Sequence, residues 1–331
     1  MNRLLEKDLQ LYIGEQGGAE KILYFGQKST PAIRVYLDFW PSSYHCTLVP
    51  DHRDSLIFKE EFWTSIQHDG KEFALFTGSG PAKDTEDNTL GRAGDRESGL
   101  PRPGKSDQKN RAVPAGIANY LTDWKVYHFH DTSASAKVKM MNKLYDNDFL
   151  RPNAENLAAF LFSIQNTLEY EKIVRTIQRV APFFQGFILQ PEKINPDYIR
   201  LRWKHKGTDS YFDANDLSDG TLRFVCLTTL LLQPELPSLI LLDEPELGLH
   251  PYAMHLLAGM IRSASAETQV IASTQSVTLA NQFDWQDLVI VERQDNASVF
   301  RRLKEDELKI WLEEYRIGDL WEKNLLGGTP E

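Results

Sequence analysis

The sequence predicts an α/β fold, and three patterns predict it. The last third alternates short apolar strands with helices, residues 31–76 read as strands parted by Pro, Ser, Asp and Gly, and two helical stripes fill 153–180. Strands alternating with helices imply a parallel sheet covered on both faces; closely spaced strands with turn residues imply an antiparallel meander. Together they give a mixed sheet with an N-terminal meander and a helical lobe.

The bulk numbers are compatible with that class. The chain has 331 residues, with 37 Lys+Arg against 47 Asp+Glu and a formal charge of −10. At about 150 residues per domain, this length allows one large or two ordinary domains. A hydrophobic share of 41% and a charged share of 25% exclude wholesale disorder, collagen and coiled-coil arrays. The acidic balance argues against coating nucleic acid by bulk charge, leaving room only for a local basic groove. Cys46 and Cys226 cannot build a disulfide framework and read as buried, reduced thiols. No apolar run approaches the roughly 20 residues of a membrane helix. The opening MNRLLEKDLQLYIGEQ lacks the apolar core of a signal peptide. A soluble, cytoplasmic protein with no membrane partner is the expectation.

Taken in order, Leu4, Leu5, Leu9 and Tyr12 mark a helix over 3–15. The meander follows, through AIRVYLDF, YHCTLVP, SLIFKEEFW and KEFALF. Residues 77–116 are rich in Gly, Pro and charge, and read as a mobile insertion. A short helix at 116–123 and the strand KVYHFH come next, then helices near 153–166 and 168–180, then the strands FFQGFILQ and YIRLRWKH. A helix over Asp219–Leu232 leads to the strand SLILLD, a helix over Pro251–Ala264 to QVIAS, and a short helix near 277–282 to DLVIVE.

Chemistry concentrates at the ends of these late strands. In LILLDEPELGLHP, Asp243 and Glu244 stand at the carboxyl end of a buried strand, where open α/β sheets bind ligands. An Asp there can hold magnesium through its hydration shell, and an adjacent Glu can orient and deprotonate water. Two acids ending a strand before a helix would explain the pair equally well if it stood alone. Upstream, LSDGTLR places Ser218, Asp219 and Gly220 at a helix start, whose free N–H groups suit a phosphate; an ordinary Ser cap is the alternative. Downstream, Thr274, Gln275 and Ser276 follow the next buried strand, as γ-phosphate contacts or as plain loop residues.

In this order and spacing, the three segments resemble the ABC-type ATPase heads of the RecF and structural-maintenance-of-chromosomes class. They are most similar to the AAA-type ATPases of that class found in bacterial defence and DNA-maintenance operons. LSDGT resembles the signature motif, LILLDEP the Walker B strand and ELGLHP the turn after it; WLEEYRIGDLWEKNLLGG is also similar. The resemblance implies a P-loop NTPase-like ABC ATPase head that binds ATP and Mg2+. Two heads would sandwich two ATP molecules as a homodimer and drive a nuclease or other effector, or DNA itself, in DNA repair or phage defence. It assigns Asp243 to magnesium, Glu244 to the catalytic base, and Ser218, Asp219 and Gly220 to the partner's γ-phosphate. Gln275 falls where such ATPases carry a switch histidine; it keeps hydrogen bonding but carries no proton charge. The resemblance also implies a single composite head: helix and meander at 1–76, insertion at 77–116, helical lobe and strands at 117–205, signature and Walker B lobe at 217–303, and C-terminal helices at 304–331.

A strand and a G-x-x-x-x-G-K-[ST] phosphate loop should precede the opening helix, and the expectation is that both lie upstream of Met1, about 40 residues of architecture. Without them, ATP binding should be weak. The single in-chain match, Gly99–Ser106, lies inside the polar insertion with no strand before it, and Pro101 and Pro103 delete two N–H donors. GQKST at 26–30 lacks the required glycines. His128 and His130 beside Asp131 lack further metal ligands nearby and read as structural or solvent-facing. Arg200, Arg202, Lys204 and Lys206 alternate along one strand face, either for DNA or a partner or as a solvated face. Three functions therefore stand: an ATP-hydrolysing head, a non-hydrolysing regulatory scaffold of the same fold, and an autonomous nuclease, for which no added acidic domain speaks.

Overall fold

A computed structural model describes residues 2–39, 42–66, 72–77, 94–100, 112–308, 311 and 314–327. The chain divides into two compact units, Met1–Trp124 and Lys125–Glu331, each with its own core.

The first unit opens with α1 (Asn2–Leu5), α2 (Leu9–Glu15) and α3 (Ala19–Ile22). The expected continuous helix over 3–15 breaks at Lys7, which has a positive φ of 60° and sends its Nζ to the carbonyls of Ser98 and Leu100. The meander is as expected: β1 (Ile33–Phe39), β2 (Ser42–Pro50), β3 (Leu56–Ile66) and β4 (Glu72–Thr77), in that spatial order and antiparallel throughout. Period-two alternation sends Tyr44, Cys46, Leu48 and Phe58 into a core with Leu5, Leu9 and Ile13. On the other face Tyr36, His45 and Phe62 are cross-strand neighbours, with ring centroids 4.7 Å apart at each step.

Glu61 sits opposite Cys46 and so points inward, buried. A buried carboxylate needs donors, and it has them. Tyr44 Oη donates at 2.6 Å, the Gly99 N–H at 2.6 Å, and the Ser98 hydroxyl also donates. Burial, with Glu61 beside it, raises the Tyr44 phenol well above its ordinary range. Residues 94–100 are thereby docked, with Leu100 buried and Gly94 and Asp95 bonded to the backbone of Phe58. Within the expected insertion, this segment's apolar Leu and its donors are thus engaged by a buried acid that composition does not reveal. The rest of the insertion, 78–93 and 101–111, lies outside the described residues. The following helix, α4 (Ala112–Thr122), starts earlier than expected.

The second unit begins with β5, whose strand pairing (Trp124–Tyr127) starts at the boundary residue and stops before His128. Then come β6 (Asn142–Lys143), α5 (Leu157–Ile164), α6 (Leu168–Val180), β7 (Phe184–Ile188), β8 (Tyr198–Ile199), β9 (Arg202–His205) and β10 (Tyr211–Asp213). Helix α5 starts four residues later than expected. The side chain of fully buried Asn156 holds Arg151 N, Asp146 O and Phe149 O, fixing 146–156 as a loop. Trp203 on β9 packs among Phe184, Phe187 and Phe212 and donates its indole N–H to Asp213 O at 3.0 Å.

The last section is α7 (Asp219–Leu232), β11 (Leu239–Asp243), α8 (Pro251–Ala264), β12 (Gln269–Ser273), α9 (Val277–Ala280), β13 (Val289–Gln294), β14 (Ala297–Arg302), α10 (Glu305–Leu308) and α11 (Ile317–Glu322). Strands β11 and β12 are parallel in a sheet of order β12-β11-β5. Helix α7 is apolar almost all round, burying Leu222, Phe224, Val225, Leu227, Leu230 and Leu231; each such side chain contributes about 1.5–3 kcal/mol. It ends at Gln233, the residue before Pro234, where helical backbone is disfavoured. With α8 it covers Ile240 and Leu242. The opposite face is not sealed: Val126 is 44% and Ile271 48% exposed. The expectation of a sheet covered on both faces is corrected there.

Candidate functional site

The late motif residues converge within the second unit. Asp243 ends β11 in register with Ser273 of β12, and the Ser273 hydroxyl donates to Asp243 Oδ1 at 2.5 Å. The next residue, Glu244, donates its N–H to Ser273 O at 3.0 Å and turns away with φ +39°, rare for a residue with a Cβ. Such an outlier at a strand end is where functional strain is found. Gln275 Nε2 then donates to Glu244 Oε1 at 2.7 Å. Each acid of the pair therefore has one oxygen engaged by a neutral donor from the same short segment. Asp243 is exposed and Glu244 half-buried, so both are reachable from solvent.

The turn after the pair is built from its own sequence. Leu247 N bonds Glu244 O at 3.1 Å and Leu249 N bonds Glu246 O at 2.9 Å, while Gly248 takes φ +74°. His250 caps α8 by accepting from Tyr252 N, and Pro251 supplies the preset φ of a first helical residue. Glu246 is buried, with Thr274 donating to its Oε1.

Ser218 is the N-cap of α7: its Oγ accepts from Thr221 N at 3.3 Å and lies 2.8 Å from the Thr221 hydroxyl. Ser218 is thus the helix cap that the alternative reading describes. Asp219 and Ser218 are exposed, so their outer faces stay open. Gly220 has a packing reason to be Gly, since a Cβ there would run into the backbone oxygen of Gly248. The structure so brings Asp243, Glu244 and Gln275 into one hydrogen-bonded group, and sets Gly220 against the turn that follows them.

Two further residues belong to the group and were not singled out for it. The Arg223 guanidinium donates to Phe129 O, His130 O and Leu247 O. His130 Nε2 lies 2.7 Å from Asp243 O. A shallow depression is lined by His130, Arg223, Asp243 and Glu244. The legible signal for Arg223 was its place one turn into α7; His130 gave none, because its contact with Asp243 O depends on sheet order. His128 is exposed, its ring 6.3 Å from that of His130. No group of three or more His, Cys, Asp or Glu suited to a metal occurs among the described residues. Asp243 with the Ser273 hydroxyl offers hard oxygen donors, the small protein share that Mg2+ takes when water and phosphate complete its shell. The residues present fit that ion.

The remaining candidates separate from the site. On the basic strand face, Arg202 pairs with Glu192 at 2.7 Å, Arg200 lies 3.9 Å from Asp213 and Lys204 lies 3.6 Å from Asp209, while Lys206 is exposed. In the Gly99–Ser106 match, Gly99 N is spent on Glu61 and Leu100 N on Ser98 Oγ; residues 101–106 lie outside the described residues. A cavity of about 360 Å³ near Leu303, Leu320 and Leu326 shares no residue with the acid pair. Cys46 and Cys226 are buried, and burial pushes each thiol up to about 12, so both stay protonated and unreactive.

A family model described as "AAA domain, putative AbiEii toxin, Type IV TA system" matches residues 81–281, more than half of the chain, a range that includes Ser218, Asp243, Glu244 and Gln275. The chain belongs to this family. Among solved structures, the AAA-domain chain is similar to an Smc head bound to the C-terminal winged-helix domain of ScpA, at 12% identity and a TM-score of 0.47, covering 91% of this chain and 85% of that one. It is also similar to the SMC head domain from Thermotoga maritima (12%, 0.33, 80% and 75%) and to a Pyrococcus furiosus Smc head bound to the C-terminal domain of ScpA (13%, 0.38, 83% and 80%). The comparison with curated proteins gives no match. No helix among the described residues is long and apolar enough to cross a membrane.

Proposed function

We propose that this AAA-family chain is an ATP-binding and ATP-hydrolysing head, both units forming one composite head that dimerises around ATP and drives a DNA-processing or defence partner. The observation that carries the reading is the Asp243–Glu244 pair at the end of β11, held by Ser273 and Gln275 from the end of the adjacent parallel strand. Chemically the two acids differ. Asp243 has its Oδ1 oriented by Ser273 and its body exposed, which suits the hydration shell of Mg2+. Glu244 has one oxygen fixed by Gln275, leaving the other as acceptor for a water proton, as a general base requires. Gln275 orients that carboxylate and can report on a neighbouring phosphate by a hydrogen bond. The metal, when bound, would neutralise phosphate charge. Ser218, Asp219 and Gly220 at the start of α7 would meet a phosphate presented by a second copy of the chain, where backbone N–H groups favour anions.

The family description names a toxin and a toxin–antitoxin system, and two Smc heads of similar fold are described as bound to ScpA domains. A protein effector, rather than DNA alone, is therefore the partner class to look for. One observation favours the second reading, a non-hydrolysing scaffold: among the described residues no glycine-rich loop leaves a strand to open a helix, and Gly99, the described glycine of the in-chain match, is bound to Glu61. Light scattering separates the readings. With ATP and Mg2+, Glu244→Gln should convert from monomer to dimer, and adding Ser218→Arg should return it to monomer. A Glu244→Gln chain that neither binds ATP nor dimerises supports the scaffold.

A further inference from the structure

Arg223 is a signature-helix residue whose planar guanidinium reaches three carbonyls of two other segments. It donates to Phe129 O (3.2 Å) and His130 O (2.9 Å) beyond β5, and to Leu247 O (3.0 Å) in the turn after the acid pair. His130 in turn contacts Asp243 O through Nε2 at 2.7 Å. The bonds close a circuit, running from α7 through Arg223 to His130, to Asp243, along the chain to Leu247, and back to Arg223. Helix and turn also touch directly, since the Gly220 position leaves no room for a Cβ beside Gly248 O, and Gly248 itself abuts Arg223 Nη1.

We propose that Arg223 is a positioning residue that makes the start of the signature helix and the turn carrying Glu244 one rigid body. Occupancy of the phosphate-facing end of α7 then sets the aim of the base. This rests on the ATPase reading for its consequence, though not for its geometry. Coupling of this kind needs a physical element shared by both sites, and the circuit is that element. Lysine cannot replace it, because one ammonium lacks the fixed fork that spans three carbonyls.

The test is amide hydrogen exchange on the full chain without nucleotide, following Glu244, Leu247 and Leu249, whose N–H groups are bonded to Ser273 O, Glu244 O and Glu246 O. Arg223→Ala should speed exchange at these amides about tenfold or more, with the amides of α6 unchanged. Arg223→Lys should show a smaller acceleration; if the Ala variant does not fold, the Lys variant carries the test. Unchanged exchange, equal acceleration in α6, or full restoration by Lys would each overturn the proposal. Hydrolysis adds the functional half: kcat should fall about tenfold while KM for ATP holds, and wild-type kcat in a variant with a loosened turn contradicts the coupling. If the wild-type chain hydrolyses no ATP, the ATPase reading fails by itself, and the exchange result still decides the positioning role.

Discussion

Glu61 in the first unit and the Asp243–Glu244 pair in the second are carboxylates of like chemistry in opposite settings. Glu61 is buried in the meander core and takes donors from Tyr44, Ser98 and Gly99. Asp243 and Glu244 stand at a strand end open to solvent, each with one oxygen engaged by a neutral side chain. Burial with several donors makes an acid a structural pin, because its charge has no role left except to hold its partners. Exposure with one fixed oxygen leaves an acid oriented and still able to bind a metal or accept a proton. The same contrast governs the glycine-rich segments. Gly99 gives its N–H to a protein carboxylate, whereas Ser218 and Asp219 at the start of α7 keep outer faces open.

The comparison can be broken most sharply at the two glutamates. Glu244→Gln should reduce hydrolysis by about 10²–10⁴-fold, the span of a lost general base, while leaving the urea midpoint within error of wild type; a large loss of stability would show that this acid is structural too. Glu61→Ala should do the reverse. It leaves a buried phenol, a hydroxyl and an N–H without their acceptor, a loss of about 3 kcal/mol or more by the usual cost of unpaired buried groups. Limited proteolysis should then cut within 94–100. An unchanged midpoint and an uncut segment would remove Glu61 from its role as pin.

Smaller effects sharpen the picture. Gly220→Ala should cost about 1–3 kcal/mol, as overpacking does, because the new methyl must displace the turn at Gly248; a neutral result in thermal unfolding would mean that helix and turn are not in close contact. A further effect is confined to alkaline pH. Cys46 and Cys226 are raised by burial from 9.0 to about 12 in the folded chain. The unfolded state therefore loses its thiol protons first as pH rises. The stability these groups contribute is complete below about pH 9 and declines up to about pH 12. Cys226→Ala should flatten that part of the pH–stability curve, and an unchanged slope would show the thiol to be accessible.

How much of this was legible depended on range. Elements with a clean local period were read well: α6, α7, α8 and the strands β11 and β12 follow their apolar patterns and caps. The α/β class with its meander followed from the same patterns. What failed to read was non-local. The break at Lys7 comes from carbonyls about ninety residues away. The docking of 94–100 comes from an acid on β3, and the pairing of Arg200, Arg202 and Lys204 from acids at 192, 209 and 213. In the candidate site, Asp243, Glu244, Gln275 and Ser218 could be placed from the sequence because each lies at, or within two residues of, the end of an element with a clear local pattern. Ser273 required the β11–β12 register, and His130 required the order of the sheet. Arg223 was visible only by its place one turn into α7, where it is the single basic residue.

The most direct test of the central claim is single-turnover release of inorganic phosphate from ATP and Mg2+, comparing wild type with Glu244→Gln at equal bound nucleotide. The account predicts phosphate release by wild type and its near-complete loss in the variant. Equal release by both would contradict it, because the water would then be activated by something other than Glu244.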